Sequence, residues 1–573
     1  MGSCKFINEL NRLRKSSSDS IDNVENFDSF KVYMHVTRTA EEDLKEILRK
    51  VNASGKKSLI LLCGSAGDGK SHLLSYLKNS DVENLLEGYI IYNDATESNS
   101  PSKTAIETLN ELLDSFKDVN LELPGKNIIL AINLGVLSNF IESEYGEFYW
   151  NLKTYVEKCN ILTSKVNDNG YDSRSHFQHV SFSDYHMYSL TEQGTHAGYI
   201  EHILDKVFGN NEENKFFASY ENDCSSCSLS NKCPVRANYE FMLQKSRRRF
   251  VANLLVKTVV KDKMVLTTRE ILNFIYDILV SNNFSYSKFQ KLIDDALFLK
   301  EYMKQLTPSL IFDSNDVTVL MNMVRKYDPL LSRSEKADEI AISYYVSSDI
   351  SKEIKEDLKT VPYSGILVDP NMLQKLNSDK VLRSQLFNLI IRINAIEKQE
   401  DLDIVYQEFV RNLYLYNAGE GKKLGSLYGL IEGGVTQWCG KDQDDDLCLD
   451  DRHKGFTLYE KVKFVASLDH ILRPENTEEL FRFVPTITVA FIDENDEVIT
   501  LDIDYSLYEL VYKLNKGYIQ TADDRNNHAD FISFVNRILQ TGSLTESLSI
   551  VSYDGKKAVI SQDKFGYKFK VVK

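Results

Sequence analysis

Proline is scarce in this chain, nine in 573 residues, and glycine numbers only 26. That excludes a proline- or glycine-rich extended protein and leaves little room for long structureless linkers. Long apolar runs are missing too. None approaches the roughly 18–20 residues that a bilayer-spanning helix needs, so no membrane span is expected. The stretch from Met1 to Ser20 is polar, without the apolar core of a secretory signal. Its first six residues resemble a myristoylation start but carry Phe6 where Ser or Thr is wanted. Positive charge is in deficit: 68 Lys and Arg stand against 84 Asp and Glu, a net charge of −16. A protein that coats DNA unaided is usually basic, so DNA contact here needs a local basic patch or a partner. Eight cysteines are too few for a disulfide scaffold in a chain this long, and a cytoplasmic location is expected.

What is present reads as globular: 42% hydrophobic and 27% charged residues. The length implies about three or four domains. Between Ser58 and Phe182, apolar strands alternate with amphipathic helices. Ser58–Cys63, Tyr89–Asn93, Asn127–Ile132 and Phe177–Phe182 read as strands, Lys70–Asn79 and Lys103–Lys117 as helices. That alternation predicts an α/β fold with a mostly parallel sheet covered on both faces. Mainly helical sequence follows, including Arg248–Thr258, Thr268–Val280 and Ser384–Ile396. Near the end, Thr486–Ile492 and Val498–Ile503 read as a hairpin, Ser506 and Glu509 as a capping box for a helix over Leu507–Leu514, and three short strands close the chain. The expected organisation is an N-terminal helical segment (1–55), a nucleotide-binding core (56–200), a cysteine-bearing insert with a helical lid (201–283), a helical domain (284–430) and a small α+β C-terminal unit (431–573).

The residues Gly64-Ser65-Ala66-Gly67-Asp68-Gly69-Lys70-Ser71 fit G-x-x-x-x-G-K-[ST] in full, with His72 next. Glycines let the backbone turn its amides onto phosphate oxygens, and the helix that follows adds its positive end. Lys70 suits the β- and γ-phosphates, and the Ser71 hydroxyl suits Mg²⁺. Leu59–Leu62 before the loop and Leu73, Leu74 and Leu77 after it supply the strand and helix that the motif requires. ATP with Mg²⁺ is therefore the expected ligand, in a P-loop NTPase core. Hydrolysis also needs an acid at a second strand end. Asp94 and Asn133 both stand at such ends; an amide at Asn133 supplies neither charge nor base. Asp184 is a third position, and Glu97 a weaker choice for polarising water. Arg269 opens a helix where an arginine could sense phosphate. Arg247-Arg248-Arg249 reads either as an arginine finger toward a second copy in a homo-oligomer or as a solvated basic face.

Cys224-x₂-Cys227-x₅-Cys233 gives two thiolates a common metal at low loop-closure cost. Zn²⁺ in a structural role is expected, an iron–sulfur cluster being the other choice. Zn²⁺ wants a fourth ligand, and His202, Cys159 and Asp223 are the candidates. Asp444-Asp445-Asp446 lacks calcium-loop spacing and reads as solvated. Six lysines between Lys556 and Lys573 alternate with Phe565, Tyr567 and Phe569. They suit either DNA contact or an edge strand kept soluble by outward lysines, and the second reading is favoured.

The run Leu61–Leu74 through the P-loop, with Asp68 and His72 in it, the stretch Asn93-Asp94-Ala95-Thr96 and the C-x₂-C-x₅-C-P segment together resemble the DptF family. That family is the AAA+-like ATPase component of bacterial DNA phosphorothioation-dependent restriction. The resemblance covers nearly the whole chain. It implies companion proteins DptG and DptH, DNA as a target reached directly or through the complex, and defence against DNA that lacks backbone sulfur. It does not identify the acid of the second strand. Two expectations follow: an ATP-hydrolysing subunit of a restriction complex, or a nucleotide-gated scaffold with little turnover. Small-molecule kinases are usually more compact, and nothing in the chain reads as a nuclease.

Overall fold

A computed structural model describes residues 4–572 except 19–28, 66–67, 81–82, 94–103, 164–165, 167–169, 294, 296, 314–317, 334, 399–402, 443–445, 451–454, 463–464, 475–477, 493–495, 541–547 and 564. The chain divides into two compact units. One comprises Met1–Ser189, His196–Val259 and Lys263–Glu400. The other comprises Leu190–Thr195, Val260–Asp262 and Asp401–Lys573. Among the described residues no helix is long and apolar enough to cross a membrane.

The first unit is built on four parallel strands: β1 (Leu59–Cys63), β2 (Tyr89–Tyr92), β3 (Asn127–Ile132) and β4 (Phe177–Ser181), in the order β2-β3-β1-β4. All five residues of β1 are buried, as expected of a strand covered on both faces. Alternate side chains then serve two cores. Leu59, Leu61 and Cys63 pack with Ile128, Leu130 and Ile132 under three helices, α5 (Ala105–Leu112), α6 (Leu134–Glu142) and α7 (Trp150–Lys158). Ile60 and Leu62 pack with Ile129 and Ala131 against α3 (Thr39–Ser54) and α4 (Lys70–Ser80), through Leu44, Leu48, Leu73, Leu74 and Leu77. Each such aliphatic chain contributes about 1.5–3 kcal/mol by leaving water. The sequence read these strands and α4 to within a residue at each end. The expected helix Lys103–Lys117 is shorter: α5 stops at Leu112 and 3₁₀ turns follow over Asp114–Phe116 and Asp118–Asn120.

Register fixes where the strands finish. Cys63 lies level with Ile132 on one side and Ser181 on the other. The chain therefore emerges side by side at Gly64, Asn133 and Phe182. From β1 it turns onto the α4 face, and from β3 onto the α6 face. Connections that diverge from adjacent parallel strands open a crevice at their carboxyl ends, the usual ligand position in such sheets.

Beyond β4 the unit is mainly helical. It includes α8 (Gly198–Phe208), α9 (Lys215–Ser225), α10 (Pro234–Met242), α11 (Lys245–Asp262) and α12 (Thr268–Asp277), and it ends in the helix Lys380–Lys398. At the N-terminus, α1 (Lys5–Ser18) packs on α9 and α12, and α2 (Ser29–Met34) on α8.

The second unit holds the helices Ile404–Asn417 and Gly425–Cys439 and an antiparallel five-stranded sheet. In spatial order its strands are Gly566–Val572, Lys557–Asp563, Leu548–Ser552, Phe456–Glu460 and Leu447–Asp450. The expected hairpin pairs Ile487–Ile492 with Val498–Ile503. Two local expectations need correction. The helix Tyr505–Asn515 is capped by Asp504, whose carboxylate accepts from the Leu507 amide at 2.9 Å; Ser506 lies inside the helix. An aspartate at the cap also places negative charge on the helix's positive end. Asp446 is not solvated but buried, accepting from the Ser549 hydroxyl at 3.2 Å; Asp444 and Asp445 lie outside the described residues.

Candidate functional site

The loop after β1 begins at Gly64, whose amide donates to the Ile132 carbonyl at 3.3 Å and so ties the loop to the end of β3. A Cβ at Gly64 would stand 2.5 Å from the Asp68 carboxylate and 3.0 Å from Cβ of Phe182, so no larger residue fits without displacing the loop. Gly69 takes φ +94°, in the left-handed region that glycine adopts readily, and α4 begins at the next residue. Ala66 and Gly67 lie outside the described residues.

Lys70 Nζ donates to the Ser65 carbonyl at 2.6 Å, and the Ser65 amide donates to Asp68 Oδ2 at 2.5 Å. The loop is thus closed on itself by one cation and one carboxylate. Burial raises the Asp68 carboxyl above its usual range, against the opposing pull of Lys70 and of the Ser65 amide. Ser71 Oγ donates to the Asn93 carbonyl at 3.3 Å, which brings the end of β2 to the start of α4. The side-chain oxygen of Asn93 is buried with no hydrogen-bond partner among the described residues. An orphan acceptor of that kind costs about 1–3 kcal/mol until a ligand or ordered water satisfies it.

The acids separate clearly. Asp94 and Glu97 lie outside the described residues. Asn133 does stand at the end of β3 beside the loop, but its Oδ1 accepts from the Gly135 amide at 2.9 Å as the cap of α6. Asp184, in the turn after β4, is buried and accepts from the Ser181 hydroxyl at 3.2 Å. It lies close enough to the end of β1 to act on the Cys63 thiol, which burial pushes up to about 12 with Lys70 and Asp184 acting in opposite directions. Strand-end placement in the sequence ranked Asp184 below the other two. The parallel pairing of β4 with β1 is what carries it to the loop.

Sequence reasoning missed the residues that reach the loop from the N-terminal segment. Arg38, at the cap of α3, donates to the Asp68 carbonyl at 2.8 Å and to the Tyr185 carbonyl at 3.1 Å. Its guanidinium lies 5.9 Å from the Phe182 ring centre and 5.5 Å from that of Tyr199. The Tyr199 hydroxyl in turn meets Thr268 Oγ1 at 2.8 Å, the first residue of α12 and the neighbour of Arg269. The residue before Arg269 is thereby linked to the loop through Tyr199 and Arg38. On the other side of Arg38, His35 Nδ1 meets His72 Nε2 at 3.2 Å, its Nε2 meets Glu41 at 2.8 Å, and its ring stacks on Tyr76 at 3.5 Å. His72 is exposed along its edge, yet desolvation and the neighbouring His35 hold it below the usual imidazole range. Burial opposes ionisation of Glu41, but hydrogen bonds from His35 and Lys45 outweigh it and keep the carboxyl below its usual range. A lone arginine and histidine ahead of the first strand carry no motif, so only the fold could reveal them.

The basic triplet of α11 fits neither reading of the sequence. Arg247 is 1% exposed and donates to Glu397, the Phe241 carbonyl and the Thr360 carbonyl. Arg248 is buried against Asp205 and the carbonyls of Met242 and Leu243. Both are committed to acceptors within the chain rather than held in solvent. Only Arg249, half exposed near Glu201, remains at the surface.

The lysine-rich tail is the edge strand Gly566–Val572. Tyr567, Phe569 and Val571 alternate with Lys568 and Lys570, so the aromatics and the lysines occupy opposite faces. One nucleic-acid strand cannot use both. Lys557 is committed to Asp442 at 2.6 Å, and Lys564 and Lys573 lie outside the described residues.

Cys224 stands in the last turn of α9, Cys227 in the bend that follows, and Cys233 at the cap of α10. Among the described residues no three His, Cys, Asp or Glu side chains are already closed to metal-ligating geometry. No family model, curated protein or solved structure matches the chain.

Proposed function

We propose that the chain binds Mg·ATP in the crevice at the carboxyl ends of β1 and β3, within a P-loop NTPase core. The observation that carries this is the setting of residues 64–71: a fully buried parallel strand, a left-handed Gly69, and a helix that starts on Lys70 and Ser71. The loop amides and the positive end of α4 suit phosphate oxygens, Lys70 the β- and γ-phosphates, and Ser71 the metal. Mg²⁺ would neutralise charge on the phosphate oxygens. The orphan oxygen of Asn93 beside Ser71 fits a hydrated ion there. Asp184 is the described acid best positioned to orient water, with Asp94 and Glu97 as the other acidic candidates. Asn133 is suited to a polar contact only, since an amide neither carries charge nor takes a proton.

The resemblance to the DptF family gives this site a setting: an ATPase subunit of a phosphorothioation-dependent restriction complex, with DptG and DptH as companions and unmodified DNA as the target. The test is phosphate release by the full chain, alone and with its companions, with and without DNA. Stimulated turnover that vanishes in Lys70→Ala supports the reading; turnover unchanged in that variant ends it. A second reading is a nucleotide-gated scaffold, in which ATP orders the helices beyond the core and creates a docking surface. It is favoured by the capping duty of Asn133, which leaves β3 without an acid at its end. It predicts ATP-dependent assembly with no turnover.

A further inference from the structure

The cysteine-bearing turn has a partner that the sequence does not reveal. Cys4 lies immediately before α1, 220 residues from Cys224, and its side chain lines the same cavity as Cys224, Cys227 and Cys233. We propose that Cys4, Cys224, Cys227 and Cys233 hold one Zn²⁺ as a closed four-thiolate site that staples α1 to the turn between α9 and α10.

Four observations carry this. First, all four thiols are free. Second, the cavity they line is about 30 Å³, which leaves room for an ion. Third, backbone amides and a hydroxyl approach the sulfurs, against a burial that by itself favours the neutral thiols. Cys4 takes hydrogen bonds from the amides of Phe6 and Ile7 at the start of α1. Cys233 takes them from Val235 and Arg236 at the start of α10. The Tyr286 hydroxyl bonds Cys227. Amide and hydroxyl donors around the sulfurs are the outer shell that orients ligands and stabilises their anionic form. Fourth, the other candidates are otherwise placed. Asp223 lines the cavity, but its carboxylate accepts from the Ser219 hydroxyl at 2.5 Å. Cys159 caps α7 beside Tyr155, and His202, on α8, does not line the cavity. Among the described residues the four sulfurs are not already gathered into metal-ligating geometry, so metal binding would have to draw them together.

A tetrahedral site with four cysteines and no open position is structural. Its effect falls on α1, adding to its packing on α9 and α12 through buried Phe6, Leu10 and Leu13 and to the pairing of Arg14 with Asp277.

The test uses the full chain purified without chelator. Metal analysis should give one zinc per chain, and X-ray absorption at the zinc edge should show four sulfurs at about 2.3 Å. Cys4→Ser should lower this to three sulfurs and one oxygen and speed zinc loss to a chelator by about tenfold or more. Cys439→Ser, in the second unit, should match the parent. If Cys4→Ser does not fold, thiol labelling of the parent chain decides: Cys4 should alkylate together with Cys224, Cys227 and Cys233, and only after a chelator is added. Absence of zinc, a nitrogen in the shell, iron with labile sulfide, a Cys4→Ser spectrum identical to the parent's, or Cys4 labelled as fast as Cys439 while zinc is bound would each overturn the proposal.

Discussion

Asp68 and Lys70 bind opposite ends of the same loop residue, and each does so with a charge. Lys70 holds the Ser65 carbonyl, and Asp68 holds the Ser65 amide that a phosphate oxygen would otherwise claim. A triphosphate must therefore compete with the Asp68 carboxylate. Replacing it by a neutral side chain of the same shape removes that competition. Asp68→Asn should tighten ATP binding by about fivefold, near 1 kcal/mol, the scale of one charge pair at a partly solvated site. Equal or weaker binding by calorimetry would count against this role. The same carboxylate gives a pH signature. Burial raises its folded-state pKa above the ordinary 3.8 of a free aspartate. Its contribution to stability is thus fully present below the ordinary value and is lost as pH rises through the raised one. Asp68→Asn has no such loss. Its melting temperature should exceed the parent's near pH 7, and the gap should close toward about pH 4. At this scale the strand, the left-handed Gly69 and the helix start around residues 64–71 were legible, because they are encoded in contiguous residues. Arg38 and Cys4 were not, because each lies far along the chain from the residues it meets, and Asp184 was legible only as a strand-end candidate.

Elements were legible where periodicity was strong. The strand Leu59–Cys63 is apolar throughout and Asn127–Ile132 is apolar after its first residue, both are bounded by turn residues, and α4 shows its leucine stripe plainly. The α11 triplet misled because three consecutive arginines look like a surface, whereas a helix turns successive residues toward different neighbours. Arg247 points inward, where its five donors meet Glu397 and two carbonyls, with the Phe241 ring 4.2 Å from its guanidinium. Removing it leaves those acceptors buried and unpaired. Arg247→Ala should lower unfolding stability by about 3–5 kcal/mol in denaturant titration. It should not change ATP affinity per folded molecule; a selective loss of turnover with unchanged stability would restore the arginine-finger reading. Arg38 makes the converse case. Its planar fork spans the carbonyls of Asp68 and Tyr185, which an ammonium on a flexible stem cannot do. Arg38→Ala should weaken ATP binding about tenfold, from the loss of one or two charge-assisted hydrogen bonds, and Arg38→Lys should recover only part of it. Full recovery by lysine would mean that charge alone matters there.

For the whole molecule, the net charge of −16 and the tail strand argue together. On the tail strand, lysines on one face and aromatics on the other leave no single face that pairs phosphate contact with base stacking. The chain alone should therefore show no duplex binding by fluorescence anisotropy at about 0.15 M salt, and binding should appear when companion proteins are added. Tight, salt-sensitive binding by the chain alone would require a basic surface elsewhere. The central claim is more local: residues 64–71 grip a triphosphate. Calorimetric titration of Mg·ATP into the full chain and into Lys70→Ala tests it most directly. The account predicts saturable one-to-one binding that weakens about a hundredfold in the variant, near 3 kcal/mol, the upper range for a hydrogen bond to a charged group. Equal affinity in the two chains, or no binding to the parent, would contradict it.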